Sequence, residues 1–138
     1  MDYQLTWEPE GVYKKLSGFV TAKELLRSVT DVQCDRRFDD MRYVITDLTD
    51  TTGHELSEEL FADLAAIHCG AQASNPNCRI VFVTPDESLA KIIGDTLRSP
   101  HLISYVVEVK STIGEARDWL DRQPRQHEVS CIMGERFN

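Results

Sequence analysis

The stretch RYVITDLTDTTGHELSEELFAD, residues 42–63, indicates how the whole chain folds. It reads as a strand over RYVITDL, a polar loop over TDTTGHE and an amphipathic helix that begins near Leu56. A strand followed by a helix predicts an open α/β sheet, in which ligands and partners usually lie at the carboxyl ends of the strands. Within 17 residues of this stretch there are six acids and no lysine or arginine: Asp47, Asp50, Glu55, Glu58, Glu59 and Asp63.

The length and composition are those of one globular domain. The chain has 138 residues, of which 41% are apolar and 28% charged, and it can bury a core without disulfides or a metal. No apolar run approaches the ~18 residues of a membrane span, and the opening MDYQLTWEPEG lacks the features of a signal peptide. We therefore expect a cytoplasmic protein with a single domain over residues 1–122 and a C-terminal tail over residues 123–138.

The net charge indicates which classes of partner are disfavoured, and the cysteine pattern indicates the redox state of the thiols. The net charge is −8, and residues 1–69 carry 14 acids against 7 bases, which disfavours nucleic acid and anionic lipid. None of the four cysteines, Cys34, Cys69, Cys78 and Cys131, forms a C-x-x-C pair, and this indicates reduced thiols.

Hydrophobic periodicity predicts the order of the elements. Residues 3–7 alternate, and the turn residues 8–11 follow them, so we expect an opening β-hairpin that ends before Ser17-Gly18. Thr21, three residues before Glu24, is typical of a helix cap. The first helix is predicted to reach about Asp35, and the charged connector DRRFDD follows it. The next elements are a central strand closed by Asp47, a helix with Leu56, Leu60, Leu64 and Ile67 on one face, and a second central strand, Ile80–Val83. The last elements are a helix with Leu89, Ile92, Ile93 and Leu97, a strand from Ile103 to Val109, and a helix with Ile113, Ala116 and Leu120.

This order, β-β-α-β-α-β-α-β-α, predicts a mixed α/β sheet with a parallel centre, flanked by helices. Leu16-Ser17-Gly18 precedes the first helix, and Asp47-Leu48 closes the third strand. With these matches, LSGFVTAKELLRSV leading into RYVITDLTD resembles the STAS family, the sulfate-transporter and anti-sigma-factor-antagonist domains, up to about Asp121. The resemblance implies a STAS-like fold and a surface that docks a protein partner.

Antagonists of that family are switched by phosphorylation of a serine in an Asp-Ser-Ser-Gly-Leu motif at the start of the second helix. The matching stretch here, residues 55–60, reads ELSEEL, which keeps one serine as Ser57 but replaces the Asp, the other Ser and the Gly. A serine followed by two acids is typical of a helix cap, and a phosphate on it would meet like charge from Glu58 and Glu59. In these departures the chain resembles the uncharacterised bacterial STAS-like group, single-domain proteins that lack the motif.

A second pattern resembles a response-regulator receiver. Asp47, Thr84 and Lys110 follow three predicted strands, as do the phosphate-accepting Asp, the Thr and the Lys of receivers. Receivers also bind Mg²⁺ through an acidic pair that ends the first strand. The only candidates here, in Glu8-Pro9-Glu10, fall in a hairpin turn, which disfavours receiver chemistry.

Metal and catalytic sites are also disfavoured. His54, His68 and Cys69 are all capable Zn²⁺ ligands, but the adjacent His68 and Cys69 diverge by about 100° on a helix, so the set is incomplete. No nucleophile elbow or phosphate-binding glycine loop is present in the sequence. We therefore predict no catalytic residue, no metal and no cofactor.

The sequence thus favours a non-enzymatic interaction or regulatory module whose partner is a protein with a basic surface. Two alternatives stay open: a binder of a small apolar or cationic ligand at the crevice, and a degenerate phosphoacceptor signalling domain. A homodimer, with the tail packed on a second subunit, also stays open. The predicted partner-binding or switch residues are Asp47, Thr49, Asp50, Thr51, Thr52, His54, Ser57, Glu58 and Glu59.

Overall fold

The computed structural model of the protein describes residues 2–71, 75, 77–97 and 106–123. Within them, five strands and four α-helices follow the predicted order. The strands are β1 (Asp2–Trp7), β2 (Gly11–Val20), β3 (Tyr43–His54), β4 (Arg79–Val83) and β5 (Val106–Lys110). The helices are α1 (Ala22–Gln33), α2 (Glu58–Ala71), α3 (Glu87–Leu97) and α4 (Ile113–Arg122), with a short 3-10 helix at Arg36–Asp40 between α1 and β3.

The five strands lie in the sheet in the order in which they occur in the chain. β1 pairs antiparallel with β2, whereas β2 to β5 run parallel to one another. Parallel crossovers are right-handed, and here they all move in one direction across the sheet, so α1, α2 and α3 lie on the same face. α4 follows the last strand and packs on the opposite face. The predicted mixed sheet with a parallel centre and flanking helices is confirmed.

The two faces bury cores of unequal size. The larger core joins α1, α2 and α3 to the sheet and includes Leu25, Leu64, Ile93 and Phe82. The smaller core lies under α4 and consists of Ile45, Val81, Val83 and Ala116. Val81 and Phe82 therefore lie on opposite covered faces, as predicted for a strand that reads apolar at every position. Both strands predicted to be central, β3 and β4, have a neighbouring strand on each side, and β3 is the middle one of the five described strands.

The helix starts follow the predicted chemistry. Thr21 caps α1, with its side chain accepting a hydrogen bond from the Glu24 amide at 3.2 Å. The hydroxyl of Ser57 accepts from the Leu60 amide at 3.3 Å, so Ser57 has the position and contact of a helix cap for α2. α2 therefore begins at Glu58, two residues later than the predicted start near Leu56.

Two predicted boundaries are wrong, and both concern strands that continue further than their patterns indicated. The stretch TDTTGHE was predicted as a loop, but β3 continues through it to His54. β2 likewise passes through Ser17-Gly18 to Val20 and pairs with this part of β3 across two irregularities in register. Gly18 has a φ of 81°, a conformation that favours glycine, and it lies beside one of these irregularities.

Other segments refine the predicted picture. The DRRFDD connector holds the 3-10 helix, which buries Phe38. Residues 103–105 of the predicted fifth strand and residues 124–138 of the predicted tail lie outside the described residues. Of the cysteines with described side chains, Cys34 is exposed and Cys78 buried, and both are free thiols. Across the described part of the chain, no helix combines the length and apolarity that a bilayer crossing requires.

Candidate functional site

The C-terminal half of β3, residues 48–54, extends beyond the end of β4. β3 pairs with β4 only from Tyr43 to Asp47, where β4 reaches its last residue, Val83. From there to His54, β3 pairs only with β2 among the described strands. At the end of this segment, His54 Nε2 lies 3.6 Å from a carboxylate oxygen of Asp86, in the turn after β4.

The predicted site residues divide by exposure. Six of them are exposed: Thr49, Asp50, Thr52, Ser57, Glu58 and Glu59. Thr51 and His54 are half-buried, whereas Asp47 is only 2% exposed. All of them except Asp47 are therefore at least partly exposed, along β3 and the first turn of α2.

Asp47 is a buried support and not a strand-end group. It lies within β3 and receives hydrogen bonds from the Thr49 amide at 2.9 Å and the Thr49 hydroxyl at 2.7 Å. Its second carboxylate oxygen accepts a hydrogen bond from the Tyr13 hydroxyl. Burial raises the pKa of Tyr13, and the bond to Asp47 raises it further. The prediction that Asp47 closes its strand is wrong, because the strand continues beyond it.

This contact belongs to a polar network beneath α4 that the sequence pattern did not reveal. Arg117 of α4 donates two hydrogen bonds to the Glu8 carboxylate, at 2.9 and 2.8 Å, and Tyr43 donates a third. The bond from Arg117 holds the pKa of Glu8 below its usual value. The Arg117 guanidinium also lies 5.8 Å from the centre of the Tyr13 ring. The network ties α4 to the opening hairpin and to β3.

Asp47, Thr84 and Lys110 lie side by side in the sheet, because Asp47 and Lys110 both pair with Val83, which precedes Thr84. The Thr84 amide donates to the Lys110 carbonyl at 2.9 Å, and the Thr84 hydroxyl accepts from the Asp86 amide at 3.1 Å. Glu8 is bonded to Arg117 in the hairpin turn, beside the amino end of β2, whereas Asp47 pairs with Lys15 further along that strand. The turn acids are thus separated from Asp47 along the sheet.

Some of the acids in the biased window have partners. Asp50 forms an ion pair with Lys15 at 2.8 Å, and Glu55 accepts from the Ala22 amide at 3.3 Å. The window itself contains no lysine or arginine, but β2 brings Lys15 beside Asp50. Glu58, Glu59 and Asp63 are exposed on α2, and within the described ranges none of them takes part in an ion pair.

His54 and His68 have separate environments. His54 Nδ1 accepts from the Leu56 amide at 3.0 Å, which fixes the chain between β3 and α2. His68 is 2% exposed inside α2, and burial lowers its pKa to about 4, with a further lowering from the charge of Lys14. The Cys69 side chain lies outside the described part of the structure.

Lys14 is a buried charge that sequence reasoning missed. Its side chain is 1% exposed on the larger core, where Nζ donates to the Ser28 hydroxyl at 3.1 Å. Burial lowers its pKa to about 7, and the charge of Asp31 partly opposes this effect. Lys14, Thr46 and His68 border a small cavity whose enclosed part, about 20 Å³, admits one water-sized group. The alternation Val12, Lys14, Leu16 could have placed this lysine on the core face.

The Tyr13 hydroxyl should contribute measurably to stability. Tyr13→Phe leaves the buried Asp47 carboxylate with one donor fewer, so we expect the free energy of unfolding to fall by about 1–3 kcal/mol. Tyr3→Phe is the matched control, because its hydroxyl donates to the exposed Asp31, and it should change stability by less than about 0.5 kcal/mol. Urea unfolding at neutral pH measures both, and equal losses in the two variants would contradict the role of Asp47.

Comparisons with known proteins connect this geometry to a fold. The anti-sigma factor antagonist SpoIIAA in its unphosphorylated form matches with a TM-score of 0.59 and 12% identity, over 88% of this chain and 100% of that one. The Bacillus cell fate determinant SpoIIAA in its phosphorylated form matches with a TM-score of 0.51 and 12% identity, over 86% and 99%. An uncharacterised DUF3478 protein with a SpoIIAA-like fold from Shewanella loihica PV-4 has a TM-score of 0.49 and 12% identity, over 86% and 92%.

Sequence comparisons add no relative to these structural neighbours. No family model matches the chain. No curated protein matches it either. The structural likeness nevertheless confirms the predicted STAS-like, SpoIIAA-like fold.

Proposed function

We propose that this STAS-like domain is a regulatory module that binds another protein and performs no chemistry of its own. Its docking surface, here called the β3–α2 surface, comprises Thr49, Asp50, Thr51, Thr52, His54, Ser57, Glu58 and Glu59, with Asp47 supporting it from beneath. The fold likeness to SpoIIAA, an anti-sigma factor antagonist, supports a regulatory role.

One observation carries the proposal: a segment of β3 that is paired along only one edge lies beside acids that have no ion pair within the described structure. Residues 48–54 of β3 pair only with β2 among the described strands. A strand edge of this kind can accept hydrogen bonds from an extended segment of a partner. Glu58 and Glu59 at the adjacent helix start would attract a basic partner and orient it during encounter.

The contacts of the polar side chains support a function without catalysis. The Asp47 carboxylate is bonded to Thr49 and Tyr13, and His54 is bonded to the chain that starts α2. Thr84 is bonded on both its amide and its hydroxyl. These side chains fix the C-terminal half of β3 and the turn after β4 in position, so the β3–α2 surface acts through its shape and charge.

Charge reversal at the start of α2 tests the proposal. In the double variant Glu58→Lys/Glu59→Lys, we expect partner association to fall steeply, mainly through a slower on-rate and with weaker salt dependence, because surface charge steers encounter. Stability should change by less than about 1 kcal/mol, since both side chains are exposed and lose only favourable helix-dipole contacts. The measurement is quantitative pull-down from cells that make the protein, followed by binding kinetics over a salt series.

The matched control reverses two acids elsewhere. Asp39→Lys/Asp40→Lys makes the same change in net charge at exposed positions of the 3-10 helix, and it should retain the partner. The proposal fails if both double variants retrieve the same partners at the same salt concentration as the unaltered protein. Intact-mass measurement of protein from those cells addresses the phosphoacceptor alternative, which a phosphate on Ser57 would favour.

A further inference from the structure

A second site lies at the opposite end of the sheet, where the parallel strands begin. Arg79 is the first residue of β4, and Arg42 immediately precedes β3. Together with the C-terminal end of α4 they enclose a cavity of about 200 Å³. The described residues that complete its lining are polar with the exception of Leu120, and they include Glu10, Asn77, Asp121 and Gln123.

Arg79 is the unusual member of this lining. Its side chain is half-buried, its Nε is fully buried, and within the described residues this Nε donates to no acceptor. Burial lowers its pKa, and no ion pair among the described residues offsets that loss of solvation. A buried donor without an acceptor is uncommon in folded proteins, because it loses its hydrogen bonds to water and gains none. Because the partly exposed Arg79 side chain lines the cavity and has no ion pair among the described residues, its guanidinium is suited to a carboxylate or a similar planar anion.

Arg42 strengthens the positive side of the cavity. Its Nε lies 3.9 Å from Glu10, a distance at which the pair attracts but forms no direct hydrogen bond. The backbone holds the two arginines side by side, because the Arg79 amide donates to the Arg42 carbonyl at 3.0 Å. The two arginines therefore lie at the starts of adjacent strands, and both line the same cavity.

The opposite side of the cavity is negative. Asp121 is exposed at the end of α4, whereas Glu10 lies beside Arg42 on the side of the arginines. The C-terminus of a helix also carries partial negative charge on its last carbonyl groups, and α4 ends at this cavity, at Arg122. A simple anion would be attracted to the arginines but repelled by this second group of charges.

We propose that this cavity binds a small zwitterion of the α-amino-acid class. Its carboxylate lies against Arg79 and Arg42, and its ammonium group lies toward Asp121 and the end of α4. The cavity volume suits a molecule of this size, and Asn77 and Gln123 can bond polar atoms of its side chain. The site is separate from the β3–α2 surface, so a bound ligand and a bound protein can be tested independently.

Thermal shift and calorimetry with defined probes test the site. Glycine, L-serine and L-glutamine are added at millimolar concentration to the full chain, with acetate and methylammonium as the two halves of the zwitterion. We expect at least one amino acid to bind and raise the melting temperature, whereas neither half does so at the same concentration. Absence of binding by all three amino acids, or equal binding by acetate alone, would overturn the proposal.

Variants assign the binding to these residues. Arg79→Met and Asp121→Asn should each weaken binding by about tenfold or more, because each leaves one charge of the ligand unpaired. Arg79→Lys should retain part of the affinity, since it keeps the charge without the planar fork. Arg27→Met, at an exposed position of α1, is the control and should bind as the unaltered protein does. Melting curves without ligand verify that every variant is folded, and full affinity in folded Arg79→Met would refute the assignment.

Discussion

Replacing Val81 with aspartate, or Phe82 with aspartate, should leave the chain unable to fold. Val81 is 0% exposed under α4, and Phe82 is 2% exposed on the face covered by α1, α2 and α3. Phe82 also packs edge-on against Phe61, with ring centres 6.1 Å apart. An aspartate at either position would bury a carboxylate with no partner, in addition to losing the apolar contacts. These losses are comparable to the roughly 5–15 kcal/mol that stabilises a typical domain.

Circular dichroism and the yield of soluble protein measure this effect. Val106→Asp is a matched control, because Val106 is also a strand valine but is 46% exposed on β5. We expect the control to fold with a stability change of about 1 kcal/mol or less. A soluble Val81→Asp or Phe82→Asp variant with an unchanged melting temperature would contradict the two-faced burial of β4.

Replacing Lys14 with methionine should stabilise the protein at neutral pH. Lys14 is 1% exposed, and Ser28 is its one hydrogen-bond partner within the described structure. Methionine preserves most of the apolar stem and removes the buried ammonium group. Replacing buried ion pairs by apolar side chains of similar volume is often neutral or stabilising by about 1–4 kcal/mol, and we expect a gain here because burial disfavours the charged form of Lys14. Lys15→Met is the control on the adjacent position, where the side chain is half-buried and paired with Asp50, and it should not stabilise the fold.

The same lysine predicts the direction of a pH dependence. Burial lowers the folded-state pKa of Lys14 from 10.5 to about 7, so between these values the unfolded chain binds more protons. The free energy of unfolding should therefore rise with pH across this window, by an upper bound of about 5 kcal/mol. Below about pH 7 the penalty for the buried charge is fully present. Two other titratable groups interact with Lys14. Asp31 of α1 favours the charged form of the lysine, and His68 of α2 has its own pKa lowered by Lys14.

Urea unfolding at a series of pH values measures this rise. In Lys14→Met the rise should disappear, while the loss of stability on acidification from about pH 6.5 toward pH 4 should remain, because buried His68 must then become charged. An unaltered slope in Lys14→Met, or a methionine variant less stable than the original protein, would show that the ammonium group is not an unfavourable element of the core.

The order of the elements was predictable because its signals are local. The spacing of Thr21 and Glu24 identifies a helix start within a few residues, and the unbroken apolar run at 80–83 identifies a strand covered on both faces. The apolar stripes of α2, α3 and α4 likewise arise from a repeat that matches the turn of a helix. That order predicts a mixed sheet with a parallel centre, and together with the Leu16-Ser17-Gly18 and Asp47-Leu48 matches it carries the resemblance to the STAS family.

Only part of the candidate site could be predicted from the sequence, for a physical reason. Glu58 and Glu59 were predictable as exposed acids, because they follow a cap and lie opposite an apolar stripe. The length of β3 was not predictable, since residues 49–54 acquire strand geometry from pairing with β2 and not from a pattern of their own. The ion pair of Asp50 with Lys15 follows from that same pairing.

The sequence by itself determined the element order, the helix caps, the apolar faces and hence the fold. Only the tertiary structure decided that Asp47 is a buried support for Tyr13 and Thr49, and that Arg79 meets a polar cavity at the end of α4. The physical reason is the range of the interactions: periodicity and capping act within a few residues, whereas Tyr13 and Asp47 are 34 residues apart. Partners at that separation are chosen when the sheet closes and the helices pack upon it.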